Sequence, residues 1–387
     1  MPSSGATLGS EWSLLLTGCS SNPDEIKIRH LKELLQAPVA WKSLFSLAEQ
    51  QGVHPLFFQA LKLLEDFVPE SEFRLWRQAY EANVVKNLLL ARELIRILEQ
   101  LSKSNIEVLA YKGLALAETL YGDIALRQAG DIDLLIRAGD VRQVREALAE
   151  LGYSPHAAFS GQKERSFLRS GYECAFDGAP GRNILEVQWA FQPRFYSVDF
   201  DMGGVFTRAA VISVAGQKMR TPSREDLLLS LMVHAAKHVW SRLVWLCDIA
   251  RLIAIPTLDW VWILSQAKEL GLERILHVTV LSVQALLETE IPTALMTALG
   301  PDRAAERMAQ EVQRRATGSI PLDAESISYF GLMMRLRERP YDRLRFLTRL
   351  TFTPGPSEWK AVELPPALFP LYRLVRLSRL AARALRL

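Results

Sequence analysis

The chain has 387 residues, of which 49% are hydrophobic and 23% charged, so its composition is that of a globular protein and excludes a disordered or coiled-coil chain. Its length is more than twice the usual domain size of about 150 residues and predicts two or three domains. The formal net charge is only +3, which is too small an excess for general binding to nucleic acid. Any binding of phosphate groups must therefore depend on a local cluster of basic residues.

The three cysteines, Cys19, Cys174 and Cys247, lie far apart and form no C-x-x-C pair. This spacing indicates neither a disulfide framework nor a zinc knuckle, and it is typical of proteins in a reducing compartment. The longest uncharged stretches, such as residues 227–236, have about half of the ~20 residues needed to cross a bilayer. We therefore expect a cytoplasmic protein without a transmembrane helix.

Residues 24–105 follow a helical pattern. Apolar residues recur at steps of three and four between Phe73 and Leu101, and Asp24 and Ser71 are candidate N-caps. We predict an N-terminal helical domain over residues 1–105.

The pattern changes at Ile106, where short strands and helices alternate. Strands are predicted over 106–111 and 131–136, helices over 114–121 and 140–151, and β-hairpins over 172–189 and 211–220. These elements predict a mixed α/β core over residues 106–222. From Ser223 the pattern is helical again, with breaks at Pro256, Pro292, Pro301 and residues 354–356, which predicts a C-terminal helical domain over residues 223–387.

Two acids lie one residue apart in the apolar strand over 131–136. Asp131 and Asp133 share one face of this strand, where two bare carboxylates repel each other and a divalent cation such as Mg²⁺ or Mn²⁺ relieves the repulsion. The alternative is an exposed strand end with two solvated acids. Glu186, in the apolar strand 184–189, is the candidate for a third metal ligand, and Glu173 competes for that role.

Phosphate-binding residues stand next to this strand. Gly113 opens a helix whose first backbone N–H groups can receive a phosphate, and Lys112 stands beside it. Arg127 precedes Asp131 by four residues, on the connecting loop, where a guanidinium can contact a polyphosphate. We therefore expect Lys112, Gly113 and Arg127 to bind a nucleotide.

These motifs resemble the uncharacterised nucleotidyltransferase family within the DNA polymerase β superfamily. Gly113, Asp131, Asp133 and Glu186 fall on the superfamily's motif positions. The resemblance is carried by Arg127 and by residues 109–116, 120–123, 130–136, 185–189 and 228–248, together with the N-terminal helices and the region of residues 372–376.

Two positions depart from the pattern of these relatives. Leu114 stands where the superfamily usually has Gly or Ser, which leaves phosphate binding there to Lys112 and the backbone, and Gln188 stands where the family more often has His. The resemblance implies an α+β fold, in which a polymerase β-like core with a small mixed sheet is flanked by N- and C-terminal helical domains.

The implied function is transfer of a nucleoside monophosphate from a nucleoside triphosphate to an acceptor hydroxyl or phosphate, with release of pyrophosphate. Asp131, Asp133 and Glu186 would bind Mg²⁺ or Mn²⁺, and Glu186 would orient or deprotonate the acceptor. Alternatives are a catalytically inactive protein that binds a nucleotide or a partner, and an antitoxin-like enzyme that modifies a partner protein. The acceptor, whether small molecule, peptide, glycan or protein, is open.

A second set of polar residues follows in the C-terminal region. On a continuous helix, His234, His238, Ser241, Trp245 and Asp248 would form one stripe, and His234, His238, Trp245 and Asp248 are candidates for the acceptor site. The alternatives are histidines satisfied in the core and a zinc site, although the glutamate of H-E-x-x-H is replaced by Ala235.

The end of the chain carries a stripe of arginines: Arg373, Arg376, Arg379, Arg383 and Arg386. On a helix this stripe predicts either a docked terminal helix with a solvated face, which we favour, or contact with an anionic membrane or RNA.

Overall fold

The computed structural model of the chain describes residues 9–21, 24–156, 160–178, 184–318 and 327–385. The N-terminal helices are α1 (Ser10–Cys19), α2 (Asp24–Leu34), α3 (Trp41–Gln51), α4 (His54–Lys62) and α5 (Glu70–Lys103). The predicted helical pattern is confirmed, but Ser71 is wrong as an N-cap because α5 begins one residue before it. Helix α1 precedes the range in which helices were predicted.

The middle of the chain alternates strands with helices. The strands are β1 (Val108–Ala110), β2 (Ile132–Ile136), β3 (Ser154–Pro155), β4 (Glu173–Asp177), β5 (Leu185–Gln188), β6 (Ala210–Val214) and β7 (Gln217–Thr221). The helices among them are α6 (Gly113–Tyr121), α7 (Val141–Glu150), α8 (Gly161–Ser170) and α9 (Met202–Thr207). Both predicted hairpins are confirmed, since β4 pairs with β5 and β6 with β7. Strand β3 and helix α8 were not predicted.

Helices make up the described C-terminal region. They are α10 (Arg224–Lys237), α11 (Leu243–Ile253), α12 (Trp260–Leu270), α13 (Glu273–Leu287), α14 (Thr293–Leu299), α15 (Arg303–Gly318), α16 (Ile327–Arg335), α17 (Pro340–Phe352), α18 (Pro356–Ala361) and α19 (Tyr372–Leu385). All four predicted proline breaks are confirmed: Pro256, Pro292 and Pro301 lie between helices, and residues 353–355 separate α17 from α18, which begins at Pro356. Within the described residues, none of the helices combines the length and the apolar character needed to cross a membrane.

The main sheet has the strand order β1-β2-β5-β4-β3. Strands β2 and β5 are parallel, and the other neighbours are antiparallel. The fold is therefore α+β, with a small mixed sheet between N- and C-terminal helices, as predicted. Every residue of β2 is buried, which explains why its sequence is almost entirely apolar and makes its single acid, Asp133, conspicuous.

Helix α5 contributes to two hydrophobic cores. Trp76, near its start, belongs to the core that joins the N-terminal helices to α10, α11 and α13, where Trp240 is fully buried. Leu94 and Leu101 belong to the core between the sheet and its helices. The two faces of the sheet thus differ, because Leu185 and Val187 of β5 belong to this second core while the alternate residues, Glu186 and Gln188, face the other side. The domain boundaries at 105/106 and 222/223 stay predictions.

The terminal arginine stripe is docked in part. Arg376 donates to the carbonyl of Leu350, and Arg376 and Arg379 both pair with the buried carboxylate of Glu358, at 3.3 and 3.6 Å. Arg373 lines a cavity against α17. The side chain of Arg383 and all of Arg386 lie outside the described residues. At Arg376 and Arg379, therefore, the contacts support the docked alternative.

Candidate functional site

The register of two parallel strands brings the predicted acids to one face of the sheet. Strand β2 pairs with β5 so that Asp133 stands opposite Glu186. Asp131 precedes β2, two residues before Asp133, and its charge acts on both Asp133 and Glu186. Glu173, the competitor, lies on β4 opposite Gln188, one strand further from β2. This acid face therefore carries Asp131, Asp133, Glu173 and Glu186, of which Asp133 and Glu186 are direct neighbours.

The acids raise one another's pKa. Burial raises the pKa of Asp133 to about 7; Lys112 acts in the opposite direction, and Asp131 and Glu186 raise the pKa further. Burial, Glu173 and Asp131 likewise raise the pKa of Glu186. A carboxylate with a raised pKa is one whose charge the fold disfavours, so this face gains stability from any cation that joins the acids.

Gln188 connects two of the acids, and sequence reasoning missed this role. Its side-chain amide donates to Oδ1 of Asp133 at 3.2 Å and to Oε2 of Glu186 at 3.4 Å. Gln188 is fully buried, and its own Oε1 is without a hydrogen-bond partner. The signal in the sequence was its position two residues after Glu186, which places both side chains on one face of β5.

Replacing Gln188 by Met should lower the free energy of unfolding by about 1–3 kcal/mol in the presence of EDTA, because it removes a buried donor to two carboxylates. Added Mg²⁺ should restore part of this loss. Urea unfolding followed by circular dichroism measures both values, and Gln217→Met, in the exposed hairpin β6–β7, is the control. An equal stability of the Gln188 variant and the control would contradict the role of the amide.

The turn between β1 and α6 places a cation and a helix N-terminus beside the acids. Lys112 has φ 57° and Gly113 has φ 39°, so the chain turns sharply before α6 begins at Gly113. A Cβ atom at position 113 would lie 3.4 Å from the carbonyl oxygen of Asp131. Glycine thus serves here because the backbone is left-handed and passes close to the segment that carries Asp131.

The ammonium group of Lys112 neutralises this face. Its Nζ lies 3.5 Å from Oδ1 of Asp133. Burial acts to lower the pKa of Lys112, but Asp133 and Glu186 raise it above its ordinary value, so the side chain is charged. In the part of the chain that the structure describes, no three Asp, Glu, His or Cys side chains are grouped so as to hold a metal ion. The backbone therefore aligns Asp131, Asp133 and Glu186, but their side chains do not form a three-ligand set.

Arg127 is held in a buried ion pair rather than left free for a ligand. Its Nε and one NH2 group donate to Asp248 at 3.0–3.2 Å, and its other NH2 group donates to the carbonyl of Gln128. Tyr121 donates a further hydrogen bond to Asp248 at 2.8 Å. Asp248 is fully buried, so the prediction that it lines an acceptor cleft is wrong. Because α11 carries Asp248 to the loop of Arg127, this acid ties the C-terminal helices to the sheet.

The helix through His238 is not continuous, and this prediction is wrong. Helix α10 ends at Lys237, and Val239 and Trp240 adopt φ values of 56° and 50°. Trp240 is fully buried and donates from Nε1 to Thr279 of α13 at 3.1 Å. Residues 238–242 contain no Gly or Pro to signal this turn. Burial of the Trp240 ring therefore favours the break over a longer helix.

Three of the four acceptor-site candidates nevertheless lie together. The turn brings α11 back so that the ring of Trp245 lies 4.9 Å from that of His234 and 5.4 Å from that of His238, measured between centroids. His238 is exposed and His234 is partly so, which separates them from the buried core. Ser241 is exposed beyond them. The three rings form an aromatic cluster at the C-terminal end of α10.

The positive charge of Lys112, which lies beside the acid face, acts on this aromatic cluster. Burial, Lys112 and His238 lower the pKa of His234 well below its ordinary value. Partial burial of the His238 ring against His234 and Trp245, together with Lys237 and Lys112, lowers the pKa of His238 to about 4. Both imidazoles are therefore neutral at pH 7. The cluster and the acid face are close enough for Lys112 to act on both.

Lys237 is a further residue that sequence reasoning missed. Its Nζ donates to the hydroxyl of Tyr172 at 3.2 Å, next to Glu173 on β4. Burial and Lys112 lower the pKa of Lys237 to about 8, while Glu173 and Glu186 act in the opposite direction. Its position between His234 and His238, two predicted acceptor-site residues, is the feature of the sequence that could have indicated a role at this site. Lys237 thus extends from the C-terminal helices towards the acid face.

Replacing His234 by Gln should flatten the dependence of stability on pH. The unfolded chain binds a proton to this histidine below pH 6.5, whereas the folded chain resists it, so the contribution of His234 to stability is complete above pH 6.5 and is lost as the pH falls. One proton accounts for at most about 1.4 kcal/mol per pH unit. Urea unfolding at pH 7.5, 6 and 5 measures the slope, and His30→Gln on α2 is the control. Identical slopes in wild type and His234→Gln would contradict a neutral His234.

Comparison with known proteins adds an independent finding. The family model for the uncharacterised nucleotidyltransferases matches residues 37–288 of the chain. Among solved structures, the chain is similar to the antibiotic-resistance factor ANT(2'')-Ia, with 13% identity, coverage of 60% of this chain and 94% of that chain, and a TM-score of 0.30. The lincosamide antibiotic adenylyltransferase LnuA, bound to lincomycin, has 16% identity, 42% and 96% coverage, and a TM-score of 0.30. An antigenic nucleotidyltransferase-like protein from Paracoccidioides brasiliensis has 17% identity, 56% and 96% coverage, and a TM-score of 0.31.

The family assignment rests on the family model, because the structural similarities have low TM-scores. The search of curated proteins found no match. The matched range, residues 37–288, covers more than half of the chain and includes the acid face, Lys112 and the aromatic cluster. The resemblance seen in the sequence motifs is confirmed. The chain belongs to the uncharacterised nucleotidyltransferase family.

Proposed function

We propose that the protein transfers a nucleoside monophosphate from a nucleoside triphosphate to an acceptor hydroxyl or phosphate and releases pyrophosphate. The observation that carries this proposal is the register of β2 and β5, which sets Asp133 beside Glu186, together with the start of α6 at Gly113, close to Asp131. Phosphoryl-type transfer depends mainly on positioning and on compensation of charge, and this face supplies both.

Asp131, Asp133 and Glu186 would hold Mg²⁺ or Mn²⁺. The donor set fits these ions in its chemistry, since it consists of carboxylate oxygens, and the raised pKa values of Asp133 and Glu186 favour occupation by a cation. The three side chains would have to turn towards one ion, because they do not form a three-ligand set as they stand. A bound ion supplies charge compensation for the triphosphate and the leaving pyrophosphate.

The remaining residues divide between binding and positioning. Lys112 and the first N–H groups of α6 would neutralise the phosphates. Arg127 would act as a positioning residue, because its donors are already bound to Asp248 and Gln128 and it lies on the loop before Asp131. Its predicted direct contact with phosphate is therefore replaced by support of this loop.

The acceptor would lie between the acid face and the C-terminal helices. His234, His238 and Trp245 present neutral rings there, and Lys237 presents an amine with a pKa of about 8. A proton-accepting group with a pKa near the working pH suits general-base catalysis, which makes Lys237 one candidate; Glu186, whose pKa is raised above its ordinary value, is the other. The aromatic cluster favours an acceptor with a flat or apolar part.

A catalytically inactive, nucleotide-binding protein is the second candidate. The observation in its favour is the pairing of Lys112 with Asp133, because a protein ammonium group already relieves part of the repulsion that would otherwise require a metal ion. Under this alternative the protein binds nucleotide without releasing pyrophosphate.

The test is incubation of the protein with each labelled nucleoside triphosphate, Mg²⁺ and the small-molecule and protein fractions of a host extract. The transferase proposal expects a labelled acceptor and an equal amount of pyrophosphate, both dependent on divalent cation. Binding of nucleotide without pyrophosphate release in any fraction would support the inactive alternative. Label on a protein rather than a small molecule would identify a protein-modifying enzyme with the same chemistry.

A further inference from the structure

An arginine-rich cavity lies outside the acid face, between α8, the turn at residues 194–196, α17 and the segment that leads into α19. Its volume is about 580 Å³. The lining includes four arginines, Arg169, Arg194, Arg349 and Arg373, and the lining residues within the described ranges include neither Asp nor Glu. Four guanidinium groups around one cavity repel one another unless an anion joins them.

The protein itself supplies one nearby acid, and this acid is already occupied. Asp199 accepts hydrogen bonds from Arg349 at 2.7 and 2.9 Å and from Arg345. Arg349 also donates to the carbonyl of Arg194, which fixes the turn that carries the Arg194 side chain.

The other three cavity arginines have unused donors. Within the described residues, the side chains of Arg169, Arg194 and Arg373 make no hydrogen bond or close ion pair with an acid. Each guanidinium offers five N–H donors, so the cavity presents a large excess of donors and positive charge. These groups are available to a ligand.

The size and charge of the cavity select the chemical class of this ligand. Cavities of about 300–1,000 Å³ hold small molecules, and 580 Å³ falls in that range. Arginine forks match phosphate and carboxylate oxygens, but three unpaired guanidinium groups favour the higher charge of a phosphate. The arginines surround a cavity instead of following an extended stripe, and the chain has a net charge of only +3, which argues against a nucleic acid.

A second cavity places the arginines beside the β4–β5 hairpin, whose strands carry Glu173 and Glu186. A neighbouring cavity of about 350 Å³ shares Arg169, Arg194 and Arg349 and is lined by Gly171 and Trp189. Gly171 directly precedes Tyr172, whose hydroxyl accepts from Lys237, and Trp189 directly follows Gln188, which binds Asp133 and Glu186. Gly171 and Trp189, which line the second cavity, are thus adjacent in the chain to Tyr172 and Gln188 of the candidate site.

We propose that this cavity binds the phosphate group of a small phosphorylated compound. Identification of that compound as the acceptor rests on the proposed transferase function, whereas the phosphate site itself does not. The compound would then extend from the arginines towards the β4–β5 hairpin. The arginines would bind its phosphate, and its reacting oxygen would lie at the acid face.

Isothermal titration calorimetry with pyrophosphate and with inorganic phosphate, in EDTA, tests the site without catalysis. EDTA removes divalent cations, so the acid face repels anions while the arginines need no metal. We expect the double variant Arg169→Gln/Arg373→Gln to bind pyrophosphate at least tenfold more weakly than wild type. Both side chains are exposed and unpaired, so circular dichroism should show an unchanged fold.

Two controls make this result specific. Arg165→Gln, also exposed and on α8 but outside the lining, should bind pyrophosphate within twofold of wild type. Citrate, an anion of carboxylates, should bind wild type at least tenfold more weakly than pyrophosphate. No binding to wild type, equal losses in Arg165→Gln and the double variant, or equal affinity for citrate would overturn the phosphate site.

A second measurement separates the phosphate site from the transferase. Treating the small-molecule extract with phosphatase should abolish its labelling by wild type if the acceptor is phosphorylated, and the double variant should raise the KM for the acceptor with the KM for nucleotide unchanged. Labelling that survives the phosphatase would overturn the acceptor assignment. Pyrophosphate binding without transfer in any fraction would uphold the site and overturn the transferase instead.

Discussion

Replacing Asp133 by Asn should lower the rate of nucleotide transfer at least a hundredfold and leave the melting temperature within a few degrees of the wild-type value. Asp133 is buried beside Asp131 and Glu186, and in our proposal it is a ligand of the divalent cation. A loss of about 2.7 kcal/mol of transition-state stabilisation already corresponds to a hundredfold, and metal ions contribute several kcal/mol. Folding should suffer little because burial raises the pKa of this carboxyl, so its charge is unfavourable without a cation, and because Glu186 and Glu173 remain as counter-charges for Lys112.

The measurement is labelled-nucleotide transfer at saturating Mg²⁺ together with a thermal melt. Asp177→Asn is the matched control, because Asp177 lies at the exposed end of β4, where it pairs with Ser154 of β3 instead of a residue of β5. The control should retain activity within twofold. Activity of Asp133→Asn within threefold of wild type would exclude a role for this residue in the reaction.

Replacing Asp248 by Asn should lower the free energy of unfolding by about 3–5 kcal/mol, the largest stability effect that we expect in this chain. Asp248 is fully buried and accepts hydrogen bonds from Arg127 and Tyr121. The substitution removes the negative charge but leaves the buried guanidinium of Arg127, whose desolvation is then uncompensated. The loop before Asp131 would lose its anchor, so transfer should fall as well.

The double variant Arg127→Met/Asp248→Leu distinguishes an unpaired charge from a general loss of packing. Since removal of both partners leaves no buried charge, it should recover most of the stability lost in Asp248→Asn. Urea unfolding measures all three proteins. If the single variant loses less than about 1 kcal/mol, the ion pair is not a determinant of stability, and if the double variant is no better than the single one, the loss comes from packing.

The acid face could be predicted from the sequence because it depends on strand periodicity. Asp131 and Asp133 stand at alternate positions of an apolar run, and Glu186 stands in a second run of the same kind. The tight turn at Gly113 is also local, since a left-handed backbone requires a residue without a Cβ atom. The pairing of β2 with β5 could not be derived from these patterns, because it joins residues more than fifty positions apart.

The C-terminal region shows where local pattern fails. Residues 234–248 have a helical pattern throughout, yet the chain turns at Val239 and Trp240 to bury one tryptophan against α13. That choice depends on the space between α10 and α13, which no local pattern contains. The same turn brings Trp245 to His234 and His238 but carries Asp248 away into the core.

The sequence by itself determined the helical and mixed segments, the hairpins and the identity of the acids, because each depends on spacings of two to four residues. Only the tertiary structure decided how these groups are partnered: Arg127 with Asp248, Gln188 with Asp133 and Glu186, and Lys112 with Asp133. The physical reason is that a buried charge or amide is stable only beside a complementary group, and these partners come from distant segments that meet through packing of the apolar cores.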